Sequence, residues 1–238
     1  MIRNFACLLS FLIMPFVSAD DLESVIERAR SFLGPDNLLV GVERLSYEGS
    51  LIPAEGNEER RVALYLEKPN RQRLEIIDAN GKVSLVVNGR EGFMIQEHTE
   101  SGQKRVSLLP TDQIRRFTAN AAENLYFYKF PPRAQVRIRY LGQQEFRGKT
   151  TDAVRFIHPG NSMFIRFFDP ESGRLLGTTT DAGVVNVEDG FTRVDGIRFS
   201  ESVLSYQGEV YEHRIVFDQI EVNPDFAPDL FSFPSLDE

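Results

Sequence analysis

Three histidines, His98, His158 and His213, and a lone cysteine, Cys7, are the side chains here best suited to nucleophilic, acid–base or metal chemistry. None of the histidines has a second histidine or a carboxylate at metal-ligand spacing. His98 and His213 fall on alternating, strand-like runs, and His158 precedes Pro159-Gly160 at a turn. All three read as solvent-facing or hydrogen-bonded side chains. The chain has no GxSxG elbow and no phosphate-binding or dinucleotide-binding glycine loop. Its carboxylates gather at turns (Asp169, Glu171, Asp181, Glu188, Asp189), where local hydrogen bonding to the backbone accounts for them. Glu188-Asp189 could contribute to a calcium site, but no ladder of oxygen ligands adjoins it. With no nucleophile–base pair, the expectation is a protein that is not an enzyme and that uses no metal and no cofactor. One charged pattern stands out. Arg137, Arg139, Arg155 and Arg166 alternate with apolar residues on neighbouring strand-like runs, which reads as an outer sheet face carrying acidic partners.

The N-terminus reads as a targeting segment. Arg3 is followed by an apolar run over 5–17 and by the small-x-small site Val17-Ser18-Ala19, the plan of a secretory signal peptide over residues 1–19. The run is too short for a membrane span, which takes about 20 residues. Cys7 lies inside it, so the remainder contains no cysteine, forms no disulfide and must be held by its apolar core. A single domain is expected over 20–238, which is ample for such a core. The net charge of −8 argues against nucleic acid or an anionic membrane as the principal partner and against stable membrane insertion.

Two helices would position the rest. Leu22, Val25, Ile26, Ala29, Phe32 and Leu33 form one apolar stripe that Asp20 or Asp21 can cap and Gly34-Pro35 ends. A second helix begins at 110–112 and carries Ile114, Phe117, Ala121, Leu125 and Tyr128 at helical spacing. It runs into Tyr126, Phe127, Tyr128 and Phe130. Those aromatics fit either core packing or the lining of an apolar cavity.

Everything else alternates with period two. The stretch 60–78 sets Val62, Leu64 and Leu66, then Leu74 and Ile76, on one side of a break at Pro69-Asn70, which predicts an antiparallel hairpin. Asn80-Gly81 and Asn88-Gly89 predict further tight turns. Strands are expected at 38–48, 82–87, 92–98 and 105–109. After the second helix come runs at 137–146, 150–158, 162–168, 175–180, 191–194, 198–206 and 210–222, with 184–187 irregular or at an edge. The phenylalanines of 226–234 are expected to tie down the end. The fold class is therefore mainly β (α+β): a single curved antiparallel sheet of about ten or eleven strands, an unclosed half-barrel. The N-terminal and mid-chain helices cover its concave side.

The order of these pieces resembles the periplasmic lipoprotein carriers of the LolA type. The residues that carry the likeness are 64–73 (LYLEKPNRQR), 86–93 (VVNGREGF) and 230–234 (LFSFP). Those at 168–173 (FDPESG) and 194–199 (VDGIRF) are similar to the broader outer-membrane lipoprotein-sorting superfamily. The resemblance implies a half-barrel whose apolar concave side takes acyl chains. Function then follows as a soluble periplasmic carrier of lipid or lipoprotein during transfer to the outer membrane. Its partners would be the acyl chains of lipoproteins or another lipid, an inner-membrane ABC transporter and an outer-membrane acceptor. An alternative on the same fold is a sensor or interaction module that binds a membrane-protein partner.

Residues expected to line such a cavity are Val62, Leu64, Leu66, Leu74, Ile76, Val87, Phe93, Ile95, Phe117 and Leu125. Its mouth would be formed by Lys68, Pro69 and Gln72. The carriers proper have an arginine before the Pro-Asn and an aromatic three positions after the proline. This chain has Lys68 and Gln72 there, and a lysine offers a point charge where arginine offers a planar fork.

Overall fold

A computed structural model describes residues 19–56 and 58–234. The expected signal peptide, apart from Ala19, lies outside the described residues. Helix α1 (Ala19–Leu33) buries Val25 and Ala29 of its predicted stripe and packs Leu22, Ile26 and Leu33 beside them. The chain then makes a five-residue helix, α2 (Asp36–Val40), where a strand was expected. The reason is local. Pro35 stands at its N-cap position with φ −59°, and its carbonyl accepts from the amides of Leu38 and Leu39. Leu39 is buried as the helix docks.

The meander follows as β1 (Arg44–Pro53), β2 (Arg60–Glu67), β3 (Arg71–Asp78), β4 (Gly81–Asn88), β5 (Glu91–His98) and β6 (Lys104–Leu108). Asp78 Oδ1 accepts from the amides of Asn80 and Gly81 and so fixes the predicted turn. Helix α3 (Thr111–Leu125) and a 3-10 turn at Pro132–Ala134 separate this half from β7 (Arg137–Phe146), β8 (Lys149–Ile157), β9 (Met163–Phe168), β10 (Leu175–Thr180) and β11 (Val184–Asp189). A short ribbon, β12 (Thr192–Val194) and β13 (Ile197–Phe199), precedes β14 (Ser202–Gln207) and β15 (Val210–Val222).

Thirteen strands form one antiparallel sheet in the order β6-β5-β4-β3-β2-β1-β15-β14-β11-β10-β9-β8-β7, curved and not closed. The count exceeds ten or eleven partly because β11 is a full partner of both β10 and β14 rather than an irregular or edge segment. Two meanders thus meet at the β1–β15 seam. That seam is bulged between Glu48 and Gly49, where a Cβ on Gly49 would stand 2.0 Å from the Val216 carbonyl oxygen.

Register assigns the faces. Leu66 pairs with Gln72 and Gln72 with Val87; Leu64 pairs with Leu74, and Val62 with Ile76. These residues share the face that α3 covers, where Leu66 and Leu125 join Leu39, Val42 and Leu45 in one buried cluster. Leu66 is fully buried, and removing such a side chain from water is worth about 1.5–3 kcal/mol. In the other half, Val154, Phe156, Phe164 and Phe168 face α1 and Tyr128 in a second cluster. The opposite face of β3–β5 is apolar too. Val86, Phe93 and Ile95 lie under Phe226, Leu230 and Phe231 of the C-terminal segment, which is how the tail is tied down. Among the described residues no helix is long and apolar enough to cross a membrane.

Candidate functional site

The concave face holds a buried polar network. Glu123 sits on α3 two positions before Leu125 and turns its carboxylate to the sheet. His158 Nε2 donates to its Oε1 at 2.5 Å, and Arg166 Nε donates to its Oε2 at 2.7 Å. All three side chains are buried. The Arg166 guanidinium also lies 5.0 Å from the centre of the Tyr128 ring. Burial opposes the charge on Arg166, but Glu123, Tyr128 and Glu188 together outweigh it and hold the guanidinium above its ordinary range. Burial pushes the Tyr128 hydroxyl up to about 12. Deeper in, Ser200 donates to Glu188, whose carboxyl burial raises above the usual range, against the pull of Ser200, Arg166 and Arg174.

A cavity of about 160 Å³ lies between the helices and the sheet. Phe32, Tyr47, Leu64, Phe127, Phe199 and Phe217 form its apolar wall, and Glu123, Arg166, Arg174, Glu188 and Arg198 its charged wall. Pockets that hold small molecules usually measure about 300–1,000 Å³, so the interior space is small and the protein's own side chains fill most of it. The two readings of the aromatic cluster merge here: Phe127 and Tyr128 pack in the core and line the cavity.

Polar ties hold the helices over this face. Arg30 Nη1 donates to the carbonyls of Phe127 at 2.6 Å and Tyr126 at 3.3 Å, while its Nε donates to Asp36 at 2.9 Å. Those carbonyls belong to a strained turn, for Phe127 and Tyr128 have φ of 46° and 69°. Such values are uncommon for bulky residues. Arg28 donates to Asp152 at 2.8 Å, and Asp152 also accepts from Tyr140. Asn120 donates to Gln72 at 2.9 Å, and Arg198 donates to the Phe32 carbonyl. Outside α3 runs a second, open groove of about 920 Å³, bounded by the β2–β3, β4–β5 and β8–β9 turns. Glu123 lines the cavity and His158 the groove, so their hydrogen bond bridges the partition between the two.

No protein-family model matches the chain, and no curated protein matches it by sequence. Solved structures do. A DUF1329 family protein from Desulfovibrio piger superposes with a TM-score of 0.56 at 9% identity, over 88% of this chain and 96% of that one. A LolA superfamily protein from Nitrosomonas europaea gives 0.56 at 9% identity, over 89% and 97%. The chain has a LolA-like fold.

Within this LolA-like half-barrel, Val62, Leu66, Val87 and Leu125 are buried on the helix-covered side, Leu64 reaches the cavity, and Leu74, Ile76 and Phe117 are half-buried. Phe93 and Ile95 do not join them. They pair with Val86 and Ser84, so pleat parity puts them on the opposite face, beneath the C-terminal segment. At the expected mouth, Lys68 Nζ donates to the Val40 carbonyl at 3.2 Å and lies 5.3 Å from the centre of the Tyr126 ring. Pro69 lines the outer groove, and Gln72 is buried against α3.

The arginine column splits. Arg155 pairs with Arg139 and with Ile165 on the outer face, so Arg166, one position on, points inward. The alternation Phe164, Arg166, Phe168 was the signal for this. His158 and Glu188, read as turn residues, are also interior. Glu123 had a weaker signal, a carboxylate set among Ala119, Ala122 and Leu125 on the helix. Among the described residues no group of three or more histidine, cysteine, aspartate or glutamate side chains is arranged to hold a metal ion.

Proposed function

We propose that the chain is a soluble periplasmic carrier that shields the acyl chains of a lipid or lipoprotein between its sheet and its helices, and that it performs no covalent chemistry. The observation that carries this reading is the way the concave face is closed. An aromatic wall lies under helices that pack on it through apolar side chains and are tied to one another and to the sheet by a few polar contacts, chief among them Arg30 on the carbonyls of Tyr126 and Phe127. Breaking a few such bonds uncovers apolar surface without unfolding the sheet. An acyl chain in water costs about 0.8 kcal/mol per exposed CH₂, which is ample to hold a chain in a widened cavity. The LolA-like fold and the targeting pattern of residues 1–19 support a periplasmic site of action, with transfer toward the outer membrane through an inner-membrane donor and an outer-membrane acceptor. In this reading the apolar residues Val62, Leu64, Leu66, Leu74, Ile76, Val87, Phe117 and Leu125 face the cargo once the helices move. Lys68, Pro69 and Gln72 bound the opening.

The test is native mass spectrometry of gently purified protein, with titration of a palmitoylated peptide against its unacylated form. Co-purified lipid, or binding that depends on the acyl chain, is expected. A protein that carries no lipid and binds neither peptide sinks the reading.

A further inference from the structure

We infer that the groove outside α3 is a second site, distinct from the interior cavity, and that it seats one anionic phospholipid with its phosphate against Arg90, Arg115 and Arg133. Three arginines gather here on a chain of net charge −8. Among the described residues none of the three forms an ion pair, whereas ten of the other eighteen arginines do, and no carboxylate lines the groove. Unneutralised cations around one hollow create a local field of the sign that attracts a phosphate.

The floor between them is apolar, formed by Ile114, Ala119 and Ala122 of α3 with Tyr126 at one end. Thr118 adds a hydroxyl buried without a hydrogen-bond partner among the described residues. Arg115 is positioned by the β8–β9 turn, where a Cβ on Gly160 would lie 2.7 Å from its Cδ. An apolar trough of about 920 Å³ with cations at its rim matches an amphiphile. An acidic peptide fits less well. Its backbone amides and carbonyls would need partners, and the floor is a helix whose own backbone groups are already bonded.

The experiment titrates the full chain with palmitoyl-lysophosphatidylglycerol and palmitoyl-lysophosphatidylcholine, each below its micelle concentration, and with inorganic phosphate and a glutamate-rich peptide. The variants are the Arg90→Gln/Arg115→Gln/Arg133→Gln triple and the Arg90→Gln/Arg133→Gln double. The double leaves the packed Arg115 in place should the triple fold poorly. The glycerol lipid is expected to bind and the choline lipid to bind far more weakly, with roughly fivefold loss for each arginine neutralised at low salt. Palmitoylated-peptide binding should be unchanged in both variants, which separates this site from the interior one. Equal affinity for the two lipids overturns the proposal, and so does lipid binding indifferent to the substitutions. Phosphate or the peptide binding as tightly as the glycerol lipid, with the same arginine dependence, also overturns it.

Discussion

The guanidinium of Arg30, on α1, donates to the carbonyl of Phe127, just past the end of α3, at 2.6 Å. The two residues are 97 positions apart, and this bond closes the helices over the concave face. Arg30 is buried, and its fork also reaches Tyr126 and Asp36. A lysine reaches one acceptor well and cannot span three. Arg30→Lys is therefore expected to lower stability by about 1–3 kcal/mol and to increase binding of an apolar fluorescent dye and of palmitoylated peptide. Urea titration with dye fluorescence measures both. Unchanged dye and peptide binding in a destabilised variant would show that the tie is structural only.

Glu123 is the common acceptor for two buried cationic or hydrogen-bonding groups. Glu123→Gln removes the charge hydrogen-bonded to Arg166 while keeping the shape, and leaves a buried guanidinium without its paired carboxylate, with only Glu188 acting on it across the cavity. Loss of about 3–5 kcal/mol is expected, read as a fall in the denaturant midpoint. The double variant Glu123→Gln/Arg166→Met should recover part of that loss, since the apolar methionine removes the orphaned charge.

The Glu188 carboxyl has a folded-state pKa raised above its ordinary 4.5 by burial. The folded state therefore holds its proton more tightly than the unfolded chain does. The stability that this contributes is present in full below pH 4.5 and is lost as pH rises through the folded value. Glu188→Gln keeps an acceptor for Ser200 and removes the ionisation. Thermal melts across pH 4 to 8 (roughly the span over which carboxylates of this kind titrate) should show a smaller decline in Tm with rising pH than the parent shows. A slope identical to the parent's would refute this role for Glu188.

Phe231 fills the outer cluster with Val86, Phe93 and Ile95. Phe231→Ala is expected to cost about 3 kcal/mol, the lower end for a buried phenylalanine because the cluster is a satellite of the main core. It should also speed hydrogen exchange in β4 and β5 without altering acyl-peptide binding. A variant that loses peptide binding while its exchange is unchanged would contradict the placement of Phe93 and Ile95 outside the cavity.

Alternation, turn chemistry and helical spacing in the sequence determined most of the architecture. The Pro69-Asn70 and Asn80-Gly81 breaks set hairpins, the 22–33 stripe set α1, and the phenylalanines of 226–234 set the tail, because each depends on residues near one another in the chain. What only the tertiary structure decided are the long-range choices. Alternation divides a strand into two faces but does not say which is the inside when both are apolar, as with Val87 against Val86 and Phe93. Docking of α3 on one side and of the tail on the other settles it. The inward turn of Arg166 likewise follows from its register with Val154, and the meeting of Glu123 with His158 from a helix and a turn 35 residues apart brought to one wall. Pairings of that kind arise from packing between elements, and no local pattern encodes them.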